Sequence, residues 1–529
     1  MPYFRLILLI TLLSSLSSPS VANTDQSPQL FDIWEFRIQG NSVLANKDIE
    51  TSVYSYLGPD KTFEHIQQAQ QSLSAIYRAR GYAFASVTIP EQSVDQGIVV
   101  LKVVEGELGR VRVRGNQYFS RQEVLRQLPS LTPGEVPRID DIKRELALLN
   151  RQTADRLVIP VAKSGARSET VDIDLKVSDE LPLKAGFDYN NQYSPDTSDT
   201  RLGFNFSYDN LFQKQHTLGL FYLTTPQDRD EVEVLSTRYS MPLPWGESRL
   251  SLYYIQSESD VATIGDINVL GDGDIKGISA AFPVYFAKQM HEISLGLEAK
   301  DFQQTTFLAE GLTDDKPIDY VSLLFGYDGM LRTDATRYNF GVDLKSGLRT
   351  LGNREEEFEQ KRAGAKNNFA IFYANVGVTH DFVSGYRFKT DLDMQLSGDP
   401  VIGNEQYSAG GLNSVRGYLS SQELADGGYT LQTELWTPEL AELLENDLIT
   451  SLRFLGFVDY ARLHNRKAAA SGRASGIDIM GAGIGVRAGL GRGLSLDLDI
   501  ASPLKRSSPG NAAVKSGDWL THFSITGQY

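Results

Sequence analysis

From about residue 183 to the C-terminus, apolar and polar side chains alternate along short segments of the chain. In one such segment Leu202, Phe204 and Phe206 share a face, and the residues between them are small or polar. This period of two is that of a β-strand. A membrane barrel with a polar lumen shows this alternation, and so does a soluble sandwich that buries its apolar face.

The connections between these segments favour the barrel. Short turns alternate with longer polar loops, of which residues 397–428 form the longest. Short turns on one side and long loops on the other are typical of outer-membrane barrels. The sequence therefore predicts a 16-stranded antiparallel transmembrane β-barrel over residues 183–529, in contact with outer-membrane lipid. Its strands are predicted to begin near residues 183, 201, 215, 232, 247, 276, 291, 319, 335, 370, 385, 429, 451, 480, 493 and 520.

The chain before the barrel has a different pattern, in which helical and strand periodicity follow one another. Residues 31–107 predict the order β-α-α-β-β, and residues 108–178 repeat it. In both stretches the first strand ends in Gly-Asn, at Gly40 and at Gly115. The repeat predicts two α+β modules of one type ahead of the barrel.

The first residues have the organisation of a secretory signal peptide. Arg5 gives a basic start, Leu6 to Leu13 form an apolar run, and Ala22 ends a small-residue cleavage site. We therefore predict a cleaved leader over residues 1–22. The apolar run is too short to span a membrane, and no other stretch reaches about eighteen consecutive apolar residues.

Composition and motif content argue against several functional classes. The net charge of −16 over 529 residues argues against nucleic-acid binding. The chain has no Cys, so it has no disulfide framework. The six His residues are scattered, and the sequence contains no HExxH, GxSxG or Walker A motif. We therefore expect no enzyme activity, no metal site and no cofactor.

The long loop contains a glycine-flanked stretch, GGLNSVRGY, from Gly410 to Tyr418. If the loop folds into the barrel, Arg416 needs a carboxylate partner, because an unpaired desolvated charge is unfavourable. Asp459, in the later segment Phe457 to Tyr460, is a candidate for that partner. The spacing alone is equally consistent with a solvated loop arginine.

The two modules resemble POTRA domains, the periplasmic modules of outer-membrane assembly and secretion barrels. The match includes Gly81-Tyr82, Ile89-Pro90-Glu91-Gln92 and Val104-Glu105-Gly106. With the barrel and the loop motif Val415-Arg416-Gly417-Tyr418, the mature chain resembles the outer-membrane transporter of two-partner secretion, of the hemolysin secretion/activation type. The resemblance implies export of a large, unfolded exoprotein from the periplasm to the cell surface.

The resemblance also implies roles for individual residues. Arg416 is expected in the lumen, paired with Asp459 of the Phe-x-Asp stretch that begins at Phe457, although Ala461 stands where the family often has glycine. Partner capture is expected by strand addition at an exposed sheet edge. The outer strand in this topology is expected at Phe84, Ala85, Ser86, Val87, Thr88 and Ile89. The last strand, ending at Tyr529, resembles the signal that the barrel assembly machinery recognises.

Two alternative functions remain open at this point. The nearest is an assembly factor that inserts other barrels, and a porin-like channel or a surface enzyme is an alternative of another class. Two periplasmic modules argue against a porin, and the absence of catalytic motifs from the sequence argues against an enzyme. Besides Ala461, the chain departs from the family in a second respect, since few residues lie between Ala22 and the first predicted strand. We therefore expect no plug helix in the barrel from residues 23–30, and we expect a monomer.

Overall fold

The structure is a computed structural model that describes residues 29–529, apart from residues 95, 168, 196, 260–261, 265–266, 270–271, 287–288, 304–305, 308–312, 315–316, 445, 472–473 and 507–515. The described chain divides into two compact units. The first runs to residue 178, except for residues 117–123 and 152–156, which belong with residues 179–529 in the second. The predicted leader, and residues 23–28 of the segment expected to lack a plug helix, lie outside the described residues. Within the described part, no helix has the length and apolar character needed to cross a membrane.

The first module of the first unit is a small sheet covered by two helices. Its elements are β1 Phe31–Ile33, β2 Glu35–Gln39, α1 Asn46–Val53, a 3-10 turn Tyr54–Tyr56, β3 Gly58–Lys61, α2 Phe63–Ala79, β4 Ser86–Thr88 and β5 Ile98–Val104. The main sheet has the order β2-β5-β4, so β4 lies at one edge. The apolar stripe of α2, which includes Leu73 and Tyr77, packs in one cluster with Val99 and Leu101 of β5. The predicted order β-α-α-β-β is confirmed, and a separate pairing of β1 with β3 adds to it.

The second module repeats this plan, and its described residues form no counterpart of the β1–β3 pair. Its elements are β6 Glu107–Arg114, α3 Arg121–Arg126, α4 Ile139–Arg151, β7 Arg156–Ser164 and β8 Thr170–Asp179. The sheet has the order β6-β8-β7, so β7 lies at its edge. Ile142, Leu146 and Leu149 recur along one side of α4 and are buried in the core of this module. This helical spacing is that of an amphipathic helix on a sheet.

The second unit contains a closed barrel of sixteen antiparallel strands, as predicted. Its first strand pairs with its last, with Tyr189 opposite Ile525. Closure leaves no edge of the barrel unpaired. The strands are β9 Leu183–Asn190, β10 Arg201–Leu211, β11 His216–Thr224, β12 Val232–Pro242, β13 Arg249–Ser259, β14 Asp272–Phe286, β15 Gln289–Gln303, β16 Pro317–Arg332, β17 Thr336–Gly352, β18 Ala370–Asp381, β19 Arg387–Ser397, β20 Gly427–Trp436, β21 Ile449–His464, β22 Gly476–Leu490, β23 Leu494–Pro503 and β24 Leu520–Gln528.

The two faces of the barrel wall differ in polarity, as the alternation predicts. On β21, Phe454 and Val458 are 46% and 45% exposed on the outer face, whereas Asp459 on the inner face is fully buried. An apolar outer face and a polar inner face suit a barrel that contacts lipid outside and encloses a polar lumen. The loops carry further short elements, namely the hairpins Ala262–Ile264 with Ile267–Val269 and Thr306–Phe307 with Thr313–Asp314, the helices α5 Glu355–Lys361 and α6 Ala468–Ser471, and the 3-10 turn Ala441–Leu443.

Candidate functional site: the lumenal loop

The loop predicted over residues 397–428 connects β19 to β20 through residues 398–426 and lies inside the barrel. Its stem contains a 3-10 turn, Gly403–Glu405, and a hairpin in which Tyr407–Ala409 pairs with Glu423–Ala425. At its tip, Val415 and Tyr418 are fully buried against the inward-facing residues Ala461, Leu463 and Ile479 of β21 and β22. Ala461, at the position where glycine was expected, is therefore part of the apolar surface of the wall against which the loop packs.

The structure places Arg416 in direct contact with Asp459, the partner proposed from the sequence. The guanidinium donates from Nε to Oδ2 at 2.7 Å and from Nη2 to Oδ1 at 2.8 Å. The backbone N–H of Arg416 donates to the same carboxylate at 3.1 Å. A planar guanidinium matches a carboxylate in this two-bond geometry, which a lysine ammonium cannot reproduce. The side chains of both residues are almost completely buried.

Two further acidic residues face Arg416, and the sequence analysis did not identify them. Glu434 on β20 accepts a hydrogen bond from Nη1 at 2.7 Å, and Asp499 on β23 lies 3.6 Å from the same nitrogen. Asp499 also pairs with Arg487 through two hydrogen bonds of 2.7 and 2.8 Å. Both acids lie at polar, inward-facing positions of their strands. The alternation of apolar and polar residues along β20 and β23 could therefore have identified them as lumenal residues. This sector of the wall is acidic, and the loop brings a cation to it.

A glycine on the neighbouring strand allows the loop backbone to reach the wall. Gly481 on β22 lies opposite Asp459 in the ladder. A Cβ atom at Gly481 would lie 1.9 Å from the carbonyl oxygen of Arg416, so any side chain would displace the loop. Gly417, the next residue in the loop, has φ +93°, a conformation that favours glycine.

The residues after Arg416 are also held by the wall. The backbone N–H of Gly417 donates to Nε2 of His522 on β24 at 3.1 Å. The hydroxyl of Tyr418 donates to the carbonyl oxygen of Lys505 at 2.6 Å. The four motif residues Val415, Arg416, Gly417 and Tyr418 therefore each have a defined position against the barrel.

An apolar cluster fills another part of the lumen. Phe358 from α5 and Phe369 pack edge-on against Tyr320 of β16, with ring centroids 5.7 and 5.9 Å apart. Val401 and Ile402, at the start of the lumenal loop, belong to the same buried cluster. Phe358 could not be predicted as part of this cluster, because a single aromatic residue in an acidic run gives no periodic signal.

The proposed capture strand is shorter than predicted. Only Ser86, Val87 and Thr88 pair with β5, and they do form the sheet edge. Phe84 lies in a turn, and the N–H of Ala85 is used within that turn, where it donates to the carbonyl of Tyr82 at 3.2 Å. Ile89 precedes Pro90, which has no N–H to continue a ladder.

Amide side chains occupy the sheet edges of both modules. Gln70 of α2 donates from Nε2 to the carbonyl of Val87 at 2.7 Å. In the second module, Asn150 of α4 accepts from the N–H of Val158 at 2.8 Å and donates to its carbonyl at 2.9 Å. An added strand would have to replace these bonds. Edge strand β7 is longer than β4 and exposes Leu157 and Ile159, features that the sequence analysis did not single out.

Comparison with families of known proteins gives two matches. A family model described as haemolysin secretion/activation protein ShlB/FhaC/HecB matches residues 169–488. A second, described as POTRA domain, ShlB-type, matches residues 31–106.

The chain is also similar to curated relatives over most of its length. It is 23% identical over 492 residues to the outer membrane transporter CdiB of Dickeya dadantii (strain 3937), covering 91% of this chain and 84% of that protein. It is 19% identical over 509 residues to the heme/hemopexin transporter protein HuxB of Haemophilus influenzae, covering 91% and 85%.

Solved structures show the same fold at lower identity. CdiB from Escherichia coli aligns with a TM-score of 0.60 at 16% identity, covering 97% of this chain and 93% of that one. BamA from Haemophilus ducreyi lacking POTRA domains 1–3 aligns with a TM-score of 0.57 at 14% identity, covering 94% and 100%.

Proposed function

Because the chain belongs to the haemolysin secretion/activation family of ShlB, FhaC and HecB, we propose that Arg416 and Asp459 hold its lumenal loop in the position that export requires. The chain is an outer-membrane transporter of two-partner secretion, with its POTRA modules in the periplasm. Its cargo is a large exoprotein that passes through the barrel. The resemblance to transporters and the motif content together support a role without enzymatic chemistry.

The observation that carries the proposal is the complete burial of a two-bond ion pair between loop and wall. Removing one member of such a pair leaves the other charged and desolvated, at roughly 3–5 kcal/mol. The loop would then lose its fixed position, because the ring of Phe457 and the acidic wall contact the guanidinium, and Gly481 leaves room for the backbone carbonyl of Arg416. An exposed arginine on a surface loop would have little effect by comparison.

Capture of the cargo is proposed at the sheet edges of the POTRA modules, beginning with β4. An extended chain added there would gain backbone hydrogen bonds, and pockets beside the strand would select its side chains. Ser86, Val87 and Thr88 are the paired residues of this edge. We further propose that the protein acts as a monomer and that the barrel assembly machinery recognises its last strand, Leu520–Gln528.

A secretion assay on Arg416→Ala, Asp459→Ala and the double variant tests the role of the loop. Both single variants should reduce export of the partner to a similar degree, and the double variant should be little worse than either. Barrel levels in the outer membrane are measured in parallel. The proposal would be refuted if export by the double variant fell by the product of the two single reductions, or if Arg416→Ala exported the partner normally.

A strain that lacks the protein distinguishes export from barrel assembly. If the protein inserted other barrels, loss of the chain would lower the amounts of unrelated outer-membrane barrels. A dedicated transporter leaves those amounts unchanged and loses only its own partner. Quantitative mass spectrometry of outer-membrane fractions separates these outcomes.

A further inference from the structure

A second ionic cluster holds the lumenal loop on another sector of the barrel wall. Glu405, in the stem of the loop, lies between two lysines that point inward from β15 and β17. Its Oε1 is 2.9 Å from Nζ of Lys300, and its Oε2 is 2.9 Å from Nζ of Lys345. The hydroxyl of Tyr320 on β16 donates to Oε1 at 2.7 Å. The side chains of Glu405 and Lys300 are only 1% and 3% exposed.

The cluster is balanced in charge only when the loop is present. Glu298 on β15 lies 3.6 and 3.5 Å from the two ammonium groups, so two carboxylates face two lysines. Tyr253 donates to Glu298 at 2.7 Å, which fixes its carboxylate on the wall. Without the charge of Glu405, the wall would hold one uncompensated positive charge. Desolvation makes such a charge unfavourable.

The two ionic contacts of the loop are complementary. Glu405 brings an anion to a basic sector on β15 and β17, and Arg416 brings a cation to an acidic sector on β20, β21 and β23. Strands β18 and β19 separate the two sectors. The residues from Glu405 to Arg416 therefore bridge part of the lumen, held at each end by a different sign of charge.

The stem of the loop is fixed beside Glu405 as well. Gln395, buried on β19, donates from Nε2 to the carbonyl of Glu405 at 2.9 Å and to that of Asp426 at 3.2 Å. A polar cavity of about 830 Å³ adjoins this region and is lined by Glu405, Lys300 and Lys345 among others. The lumen is therefore not completely filled, and movement of the stem would enlarge the remaining space.

From this geometry we propose that Glu405 is a second positioning residue of the lumenal loop, which holds the stem against β15 and β17 as Arg416 holds the tip against β20 and β21. The inference rests on the proposed function of the loop in export. It also predicts that Arg416→Ala leaves the stem of the loop in place, since the Glu405 cluster shares no residue with the Arg416 cluster.

The absence of Cys from the chain allows a direct test by labelling. Val401→Cys, a buried and nearly isosteric reporter four residues before Glu405, is introduced into the full-length protein and into every variant compared. The rate of reaction with a small maleimide then reports how often the stem leaves the wall. Glu405→Gln should raise this rate roughly tenfold or more.

Asp399→Asn is the matched control. Asp399 lies on the same loop as Glu405 and pairs with Lys366 of the loop between β17 and β18, but the side chains of Asp399 and Lys366 are 36% and 39% exposed. Loss of a half-exposed ion pair changes stability little, so the labelling rate should stay within about twofold of the parent. A parent-like rate in Glu405→Gln would overturn the proposal.

A charge exchange separates positioning from simple loss of packing. Glu405→Lys alone should label fastest, because it leaves three cations facing one carboxylate. Adding Lys345→Glu restores two charges of each sign and should return the rate most of the way to that of the parent. An exchange variant that labels as fast as Glu405→Lys would refute an electrostatic role. If Glu405→Gln fails to assemble, Lys345→Gln is measured instead, with the same expectation and the same refuting result.

The labelling result is independent of the secretion assay. Normal export by Arg416→Ala with fast labelling of Glu405→Gln would refute the role proposed for the Arg416 pair and retain the anchor at Glu405. Reduced export by Arg416→Ala with slow labelling of Glu405→Gln would retain the role of the Arg416 pair and refute the anchor at Glu405.

Discussion

The guanidinium of Arg416 lies over the ring of Phe457, with 3.6 Å between its central carbon and the ring centroid. Phe457 is two residues before Asp459 on β21, so both inward-facing side chains contact the same loop residue. One strand thus supplies a flat apolar surface and a carboxylate to a single planar cation. A cation in this desolvated position gains about 2 kcal/mol from the ring.

Phe457→Leu should therefore weaken the seat of the loop without removing any charge. We expect export to fall roughly tenfold, because the cation–π contact and part of the packing are lost. Phe454→Leu, on the same strand but on the lipid-facing side, is the matched control and should export normally. Equal losses in the two variants would show that the ring acts through barrel stability and not through Arg416.

Gly481→Ala tests the close approach of loop and wall. The added methyl group would meet the carbonyl oxygen of Arg416 at 1.9 Å, and overpacking of this kind destabilises by roughly 1–3 kcal/mol. We expect reduced export with a normal amount of assembled barrel. At Gly456 an added methyl group meets nothing within 4 Å, so Gly456→Ala should behave as the parent. Export by Gly481→Ala at the parent level would mean that the loop is not seated here during export.

The barrel could be predicted from the sequence because alternation is a local property of each strand. All sixteen strands begin within a few residues of the predicted positions, and the helices α2 and α4 follow their apolar stripes. The additional strand β3 was missed, because its sequence Gly58-Pro59-Asp60-Lys61 has the composition of a turn.

The site was only partly accessible from the sequence. The residues alone gave Asp459 as a candidate partner but did not distinguish Arg416 from a solvated arginine, and the family resemblance favoured the pairing. Glu405 and its two lysines are far apart in sequence, and only closure of the barrel brings them together. Pairing across a lumen leaves no local pattern, so ionic contacts of this kind require the three-dimensional structure.

The first POTRA module should lose stability in acid through Glu105. Burial acts to raise the pKa of Glu105, but hydrogen bonds from the hydroxyl and backbone N–H of Ser42, from the Tyr77 hydroxyl and from the Val43 N–H outweigh it, so the pKa is lowered. A carboxyl group with a lowered pKa in the folded state stabilises the fold above its ordinary pKa. That contribution is lost as the pH falls through the lowered value.

Hydrogen exchange of α2 in the full-length protein, corrected for the intrinsic effect of pH on exchange, measures this dependence. The free energy of local opening should be constant near neutral pH and fall below about pH 4.3. Glu105→Gln should lower it by roughly 1–3 kcal/mol at neutral pH and flatten its dependence on acid. An unchanged slope in Glu105→Gln would assign the acid sensitivity to another group.

Capture at the edge of the first module depends on the backbone of Val87. Its carbonyl accepts from Gln70, so its carbonyl and its N–H both face away from β5 and toward an incoming strand. Val87→Pro removes that N–H and should weaken capture of the partner roughly tenfold. Val87→Ala loses similar packing but keeps the N–H, so it should capture the partner normally. Gln70→Ala frees the carbonyl and should increase capture.

Crosslinking of the partner to the first module in cells, with barrel levels held equal, measures capture by all three variants. Equal capture by Val87→Pro and Val87→Ala would exclude strand addition at this edge.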